Sequence, residues 1–410
     1  MNDLSLIGRN GVIELQIVDD KSGVQSYLVV LQQGDKRQEL ATKRYVKQGF
    51  FSGGPKKILE SIELDALKLG MTDGRADLFV TVHDFSFWKW MAGNETAVSH
   101  AIAFDVKPPH ISLVDSPNSI KPGSAGIIIY RADEDIFNHG VTIDDDFHPG
   151  FPVPGRSTGT FGAMIGVQYD AETIDKSTIT GVDKAGNQGL LVFAMKVRKV
   201  KKESDTITVG DSFLNQKIPE FAQYYPEMTG ELVDQYVYVN NEIRKKNAQQ
   251  IKEICSHSSS EQYWSGKFGR MRGSARRAGF AEYRSYFYNG TKIDSQVHLG
   301  VDLASVRMAD VEAANRGKVV FAQYLGIYGN MVILDHGLGV FSLYSHMSEI
   351  SVTEGELLEQ GAVMGKTGTT GMAGGDHLHF AILVNGVFVT PVEWWDEGWV
   401  DLHIQQYLKG

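Results

Sequence analysis

Three textures of hydrophobic and polar positions succeed one another along the chain. In residues 1–200, short runs rich in Val, Ile, Leu and Tyr are punctuated by Asp and Gly, as in "GVIELQIVDDKSGVQSYLVVLQQG". That is the pattern of strands joined by tight turns. A faint repeat runs through this part. Asp84 is followed by Ala92-Gly93-Asn94 and "IAFDV", and Asp183 by Ala185-Gly186-Asn187 and "VFAMKV", the two tripeptides lying 93 residues apart. This is close to the roughly 100 residues of an immunoglobulin-like sandwich. The pattern predicts two immunoglobulin-like β-sandwich modules, 1–107 and 108–200, joined at Pro108-Pro109.

The second texture is helical. In "ELVDQYVYVNNEIRKKNAQQIKEIC", Leu232, Tyr236, Val239, Ile243, Ile251 and Ile254 recur at intervals of three, four and eight. They form one face of an amphipathic helix, so residues 201–261 are expected to be a helical connector. Its apolar face either packs on a neighbouring domain or lies across an active site as a gate. The third texture, from about residue 262, is Gly-dense with short β runs and no convincing helix, and predicts a β domain over 262–410. The fold class is therefore mainly β.

Composition narrows the function. At 42% hydrophobic and 22% charged, the chain is ordinary globular protein. A net charge of -10 argues against a nucleic-acid binder held by phosphate neutralisation. No apolar run approaches the roughly 18–20 residues needed to span a bilayer. The stretch "MNDLSLIGRNGVIEL" lacks a basic region followed by an apolar one, so no export signal is visible. Cys255 is the one cysteine, which excludes an intrachain disulfide and reads as a small buried hydrophobe.

Seven of the twelve histidines fall at or after position 257, so chemistry is expected in the last texture. His83, His100, His110, His139 and His148 show no ligand spacing. In "GGDHLHF", His377 and His379 alternate with Leu378 and Phe380; on a strand both histidines share one face. In "QVHLGVDLAS", apolar Val297, Leu299, Val301 and Leu303 alternate with His298, Gly300 and Asp302. Read as one strand, His298 and Asp302 face the same way, and Gly300 leaves room between them. Pairing these two strands would bring His298, Asp302 and one of His377 or His379 to a common point. Two imidazoles and a carboxylate, with a fourth position for water, are a catalytic zinc set. Taken singly each feature is weak: a lone His-x-His is more often structural, and His346 in "LYSHMS" could be a satisfied polar residue. The HExxH motif of helical zinc proteases is absent.

A series of landmarks in order carries a resemblance: "RSYFYNG", "HLGVDLAS", "GKVVFAQYLGIYGNMVILDHGLGVFSLYSHMS", "VTEGELLEQGAVMGKTGTTGMAGGDHLHFAI" and "PVEWWD". Residues 262–396 resemble the lysostaphin/LytM-type zinc endopeptidases that cut bacterial peptidoglycan. Carried over by position, the resemblance makes His298, Asp302 and His379 the ligands of one zinc ion per chain. It makes His346 and His377 the two catalytic histidines that do not bind metal. One departure is Phe280-Ala281, where the family usually has a Phe-Gly turn.

The resemblance makes the β domain over 262–410 antiparallel. It implies a zinc-dependent endopeptidase that hydrolyses peptide bonds in peptidoglycan with a metal-activated water, two histidines assisting. It also implies an extracytoplasmic location. The family cuts either glycine bridges or D-Ala to diaminopimelate links; the residues do not decide between them, and the latter is the working expectation. Degenerate relatives that lose ligands activate other hydrolases, so a non-catalytic wall-binding protein or activator is the alternative. His336 is expected to be structural, Tyr286 and Tyr288 to line a groove or pack, and the loop 367–375 to form a flexible groove wall.

Overall fold

A computed structural model of the protein describes residues 5–47, 53–86 and 93–409. The chain is mostly β and forms two compact units. The first comprises the described residues up to Ile111 with Ala132–Asn138 and Thr180–Leu190; the rest of the chain forms the second.

In the first unit, five strands pair in the order Leu6–Ile7, Glu95–Phe104, Gly74–Asp84, Val24–Gln33, Lys36–Arg44. The strands Asn10–Val18 and Lys57–Asp65 form a separate antiparallel pair. Alternate residues Ile13, Leu15 and Ile17 face the core and their neighbours face solvent, the period of a half-buried strand. The faint repeat has a shared local geometry. Asp84 accepts bonds from the backbone and side-chain nitrogens of Asn94 at 2.7 and 2.9 Å, and Asp183 does the same for Asn187 at 2.8 and 2.8 Å. Ala92, the first residue of the first tripeptide, lies outside the described residues.

The second unit is organised by an eight-stranded sheet. Its order is Ala275–Ala278, Val301–Ala304, Leu378–Val384, Val340–Met347, Asn330–Gly337, Gly317–Tyr324, Leu357–Leu358, with Val387–Val389 also paired to Leu378–Val384. The central strands are buried on both faces, and alternation sorts their side chains into two cores. Leu378, Phe380, Ile382, Val332 and Leu334 enter one core, with Trp264, Trp394 and, from earlier in the chain, Ile127, Ile129, Phe151 and Met164. Ala381, Leu383, Met331, Ile333, Phe341 and Leu343 enter the other.

The helical stretch closes that second face. It runs as Asp211–Ala222, Leu232–Tyr238, a π turn Val239–Ile243, and Arg244–Ile254. All six residues of the apolar stripe, from Leu232 to Ile254, join the second core, and so does buried Cys255. The strand Ser204–Thr208, just before these helices, pairs in parallel with Glu282–Tyr288, which pairs antiparallel with Thr291–His298. Short helices end the chain, Pro391–Trp394 and Glu397–Val400 among them. The Gly-dense pattern does not announce these single turns. No helix among the described residues is long and apolar enough to cross a membrane.

Candidate metal centre

His298 ends the strand Thr291–His298, and the chain bends at Leu299–Gly300 before Val301–Ala304 begins. The single strand expected here is thus two strands in two sheets. The bend still delivers both side chains to one place. A Cβ on Gly300 would stand 2.5 Å from the His379 ring, so only glycine fits at this bend. Asp302 is directly opposite His379 across the antiparallel pair of Val301–Ala304 with Leu378–Val384.

Three atoms converge there. His298 Nε2 lies 2.9 Å from Asp302 Oδ1 and 2.8 Å from His379 Nδ1, and His379 Nδ1 lies 3.0 Å from Asp302 Oδ1. His298 Nδ1 faces the carbonyl of Gly279 at 2.8 Å, and a carbonyl only accepts. The ring proton therefore sits on Nδ1, and Nε2 offers a lone pair to the cluster. The backbone N–H of Ala281 donates to the His298 carbonyl at 2.8 Å, so residues 279–281 hold His298 from two sides. Ala281 does this at φ 58°, in the left-handed region that glycine occupies at lower cost. This is the position at which the sequence departs from the Phe-Gly pair.

Burial works to raise the Asp302 carboxyl, but the imidazoles of His298, His377 and His379 packed around it outweigh burial and hold the group well below the usual carboxylate range. Arg284 bonds its second oxygen at 3.3 Å and pairs with Glu282 at 3.0 Å. Burial pushes His379 down to about 4, against the pull of Asp302. Its Nε2 is buried without a hydrogen-bond partner among the described residues. Two imidazole nitrogens and a carboxylate oxygen this close suit a divalent cation, and this donor set is one that zinc prefers.

His377 and His346 stand beside these three. The Nδ1–H of His377 donates to the Gly375 carbonyl at 2.7 Å, and that of His346 to the Thr370 carbonyl at 2.9 Å. Each ring is thereby fixed in the tautomer that leaves Nε2 free. The ring centroids are 4.9 Å apart, and His377 Nε2 is 3.6 Å from Asp302 Oδ1. Burial, with His377 and His379 nearby, holds His346 well below its ordinary pKa. Burial opposes protonation of His377, yet the hydrogen bond and charge of Asp302 raise it.

His346 reaches the site by a backbone irregularity. Along Val340–Met347, Val340 and Tyr344 face the first core, so regular alternation would carry residue 346 there too. His346 instead has φ 64°, and the strand's register shifts opposite Asn330–Val332. The left-handed residue re-aims the ring onto the other face, a use of strain common at functional sites.

The loop 367–375 is tied in place among the described residues. Thr367 Oγ1 donates to Asp376 at 2.6 Å, and Thr370 Oγ1 donates to the Met347 carbonyl at 2.8 Å. From the helical stretch, Lys217 donates to the Thr369 carbonyl. A cavity of about 340 Å³ opens over the cluster, lined by all five residues with Tyr286, Tyr328, Met372 and Arg284. Ile207, Phe213, Tyr236 and Arg244 also contribute to its wall. Tyr288 bonds Asp211 instead. His336 is buried between the Arg316 carbonyl and Ser342, as a structural histidine. No motif in the sequence singles out Arg284, Arg244 or Tyr328. Glu282 and Arg284, two apart on one strand face, were the available signal.

Residues 296–391 match the model of Peptidase family M23. The chain carries an M23 peptidase domain. Over 97 residues, 24% of this chain and 22% of the relative, the M23 stretch is 39% identical to the DD-carboxypeptidase/endopeptidase Mpg of Neisseria meningitidis serogroup B. It is 33% identical over 96 residues, 23% of this chain and 22% of the relative, to the peptidoglycan DD-endopeptidase ShyC of Vibrio cholerae. It is 34% identical over 114 residues, 27% of this chain and 39% of the relative, to the stage II sporulation protein Q of Bacillus subtilis. The matched stretch thus spans 22% of the length of Mpg and ShyC. Among solved structures, the catalytic domain of lysostaphin from Staphylococcus simulans is 26% identical, with a TM-score of 0.28, covering 32% of this chain and 98% of that one. A zinc-containing peptidase from Vibrio cholerae is 13% identical, with a TM-score of 0.29, covering 92% and 84%.

Proposed function

We propose that the chain is a zinc-dependent endopeptidase that hydrolyses peptide bonds of bacterial peptidoglycan outside the cytoplasm. The observation that carries this reading is the convergence of His298 Nε2, Asp302 Oδ1 and His379 Nδ1 beside two histidines with free Nε2 atoms. The relatives named as peptidoglycan DD-endopeptidases support the substrate class.

His298, Asp302 and His379 would hold one zinc ion. When bound, zinc supplies a Lewis acid that lowers the pKa of a water to about 7. The chain's own residues do the rest. Arg284 fixes the second Asp302 oxygen, so the first stays turned toward the imidazoles. The Gly375 and Thr370 carbonyls hold His377 and His346 in the tautomer that can take a proton at Nε2. One of these imidazoles accepts the proton of the attacking water at Nε2, and the other, when protonated at Nε2, donates a hydrogen bond to the oxyanion of the peptide carbonyl. The domain division we propose keeps two β modules over 1–107 and 108–200, the helical connector over 201–261 and the peptidase domain over 262–410.

A non-catalytic role is the second reading, because the stage II sporulation protein Q, a relative whose name states no hydrolase activity, matches this stretch as well. The complete set of five residues favours the enzyme. Digestion of purified sacculi by the full chain, with product masses and with and without chelator, tests it. Stem-peptide or cross-link fragments that vanish with chelator are expected. Intact sacculi in the presence of zinc would leave the binding role standing.

A further inference from the structure

The cavity over the cluster contains two guanidinium groups, and they differ. Arg284 is neutralised by Glu282 and Asp302 at 3.0 and 3.3 Å. Arg244, at the start of the helix Arg244–Ile254, bonds Asn240 alone among the described residues, through its carbonyl at 3.1 Å and its side-chain oxygen at 2.6 Å. Of the five N–H donors of an arginine, those bonds use two. No carboxylate pairs with Arg244 among the described residues. It is half-buried in a wall that also contains Tyr236 and Tyr328. Burial pushes the Tyr328 phenol up, and the charge of Arg244 opposes that. Tyr328 in turn packs edge-on against His379, with ring centroids 5.8 Å apart. An unmatched guanidinium therefore lines the space in which the scissile bond would lie.

A half-buried guanidinium without a counter-charge favours an anion, and its planar fork matches a carboxylate. We propose that Arg244 selects substrates in which the residue supplying the leaving amine carries a free α-carboxylate next to the scissile bond. This rests on the peptidase reading above and narrows it. In a cavity of about 340 Å³, the carboxylate must belong to a residue flanking that bond. An internal glycine bridge offers none. Two kinds of wall peptide do: a stem ending in D-Ala, and a D-Ala to diaminopimelate cross-link whose acceptor centre keeps its carboxylate. In both, water adds across the amide. The acyl side leaves as a carboxylate and the other side as an amino acid whose amine takes the proton.

The test uses the full chain and pairs of peptides that differ only in that group. One pair is a stem ending in D-Ala-D-Ala as free acid and as carboxamide. The other is a D-Ala to diaminopimelate cross-linked dimer with the acceptor carboxylate free or amidated. Binding is measured calorimetrically on metal-free chain, where no peptide is consumed, and kcat/KM on zinc-loaded chain. The free acid should bind about tenfold or more tightly than the amide in at least one pair, the usual scale for a charge-assisted hydrogen bond. Which pair shows it identifies the source of the carboxylate. The preference should collapse to within about twofold in Arg244→Gln. Arg244→Lys, which keeps the charge but not the fork, should lie between and decides the matter if the Gln variant unfolds. Equal binding of acid and amide in both pairs by the wild type overturns the proposal, as does an unchanged preference in the folded variants. Cleavage without preference sinks the selectivity alone. Binding preference without any cleavage by zinc-loaded chain sinks the peptidase reading and leaves Arg244 as an anion site.

Discussion

The two faces of the eight-stranded sheet are buried alike and differ in kind. On the face of Leu378, Phe380 and Ile382 the cover is apolar: Ile127, Ile129, Phe151 and Met164 with two tryptophans. On the face of His379, Ala381 and Leu383 the cover is the helical stretch, and polar bonds join its apolar stripe. Asn247 accepts from the backbone of Ile327 at 3.0 Å, Asn240 donates to Asp294 at 2.6 Å, and Lys217 donates to Thr369. Apolar cover needs volume and tolerates small shifts. A face that carries histidines needs direction, because an imidazole acts only when its nitrogen is held at the right place.

The largest expected effect tests which face holds the chemistry. His298→Ala, Asp302→Ala and His379→Ala should each lose the zinc of the full chain and all measurable hydrolysis, because three protein ligands leave none to spare. Metal analysis of purified variants checks it. Full stoichiometry in all three would move the metal elsewhere. Next come the two histidines outside the metal set. His346→Ala and His377→Ala should keep zinc but lose roughly 100-fold or more in turnover. If His377→Ala loses metal while His379→Ala keeps it, the two roles are reversed.

The site was legible because the period of a strand is two. Alternation in "HLHF" puts His377 and His379 on one face, and Asp302 meets His379 through simple antiparallel register. The bend at Leu299–Gly300 was not legible, because a period-two pattern continues unchanged through it. His346 is the clearest case of information the pattern lacks: alternation sends it to the wrong face, and a left-handed backbone that no neighbouring glycine announces brings it back. The stripe from Leu232 to Ile254 showed that a cover exists, and all of it is in the second core. That Ile127 and Met164 cover the other face was hidden, because strand–sheet contacts across some 200 residues leave no local periodicity.

A middle-sized effect asks whether the two covers differ in function. Ile129 and Ile243 are both fully buried, one on each face. Ile129→Ala and Ile243→Ala should each cost about 2–5 kcal/mol of stability, seen as similar drops in denaturation midpoint. Below both midpoints, turnover should fall only in Ile243→Ala, which lies one residue from Arg244 in the cavity wall. Equal turnover losses would make the covers equivalent.

The smallest effect decides what the helical cover does to the site. A gate laid across a groove would slow the enzyme, so loosening it would raise activity. The contacts argue for the opposite sign. Lys217 is buried, at 2% exposed, and an ammonium this enclosed must give its protons to something. It gives them to the carbonyl of Thr369 and to Glu220. The next carbonyl along, that of Thr370, fixes the tautomer and position of His346. A helix outside the matched stretch thus holds the loop that holds the His346 imidazole. In Lys217→Met, which keeps the apolar stem and removes the donor, the Thr369 carbonyl is unpaired and the loop gains freedom. Turnover of a short soluble peptide should fall about tenfold, the equivalent of about 1.4 kcal/mol in the barrier, with zinc content and KM little changed. A rise in turnover would make the helix a gate. No change would mean that Thr370 is held well enough by its own bonds to Met347 and Asn330, and that the polar anchors of this face serve stability alone.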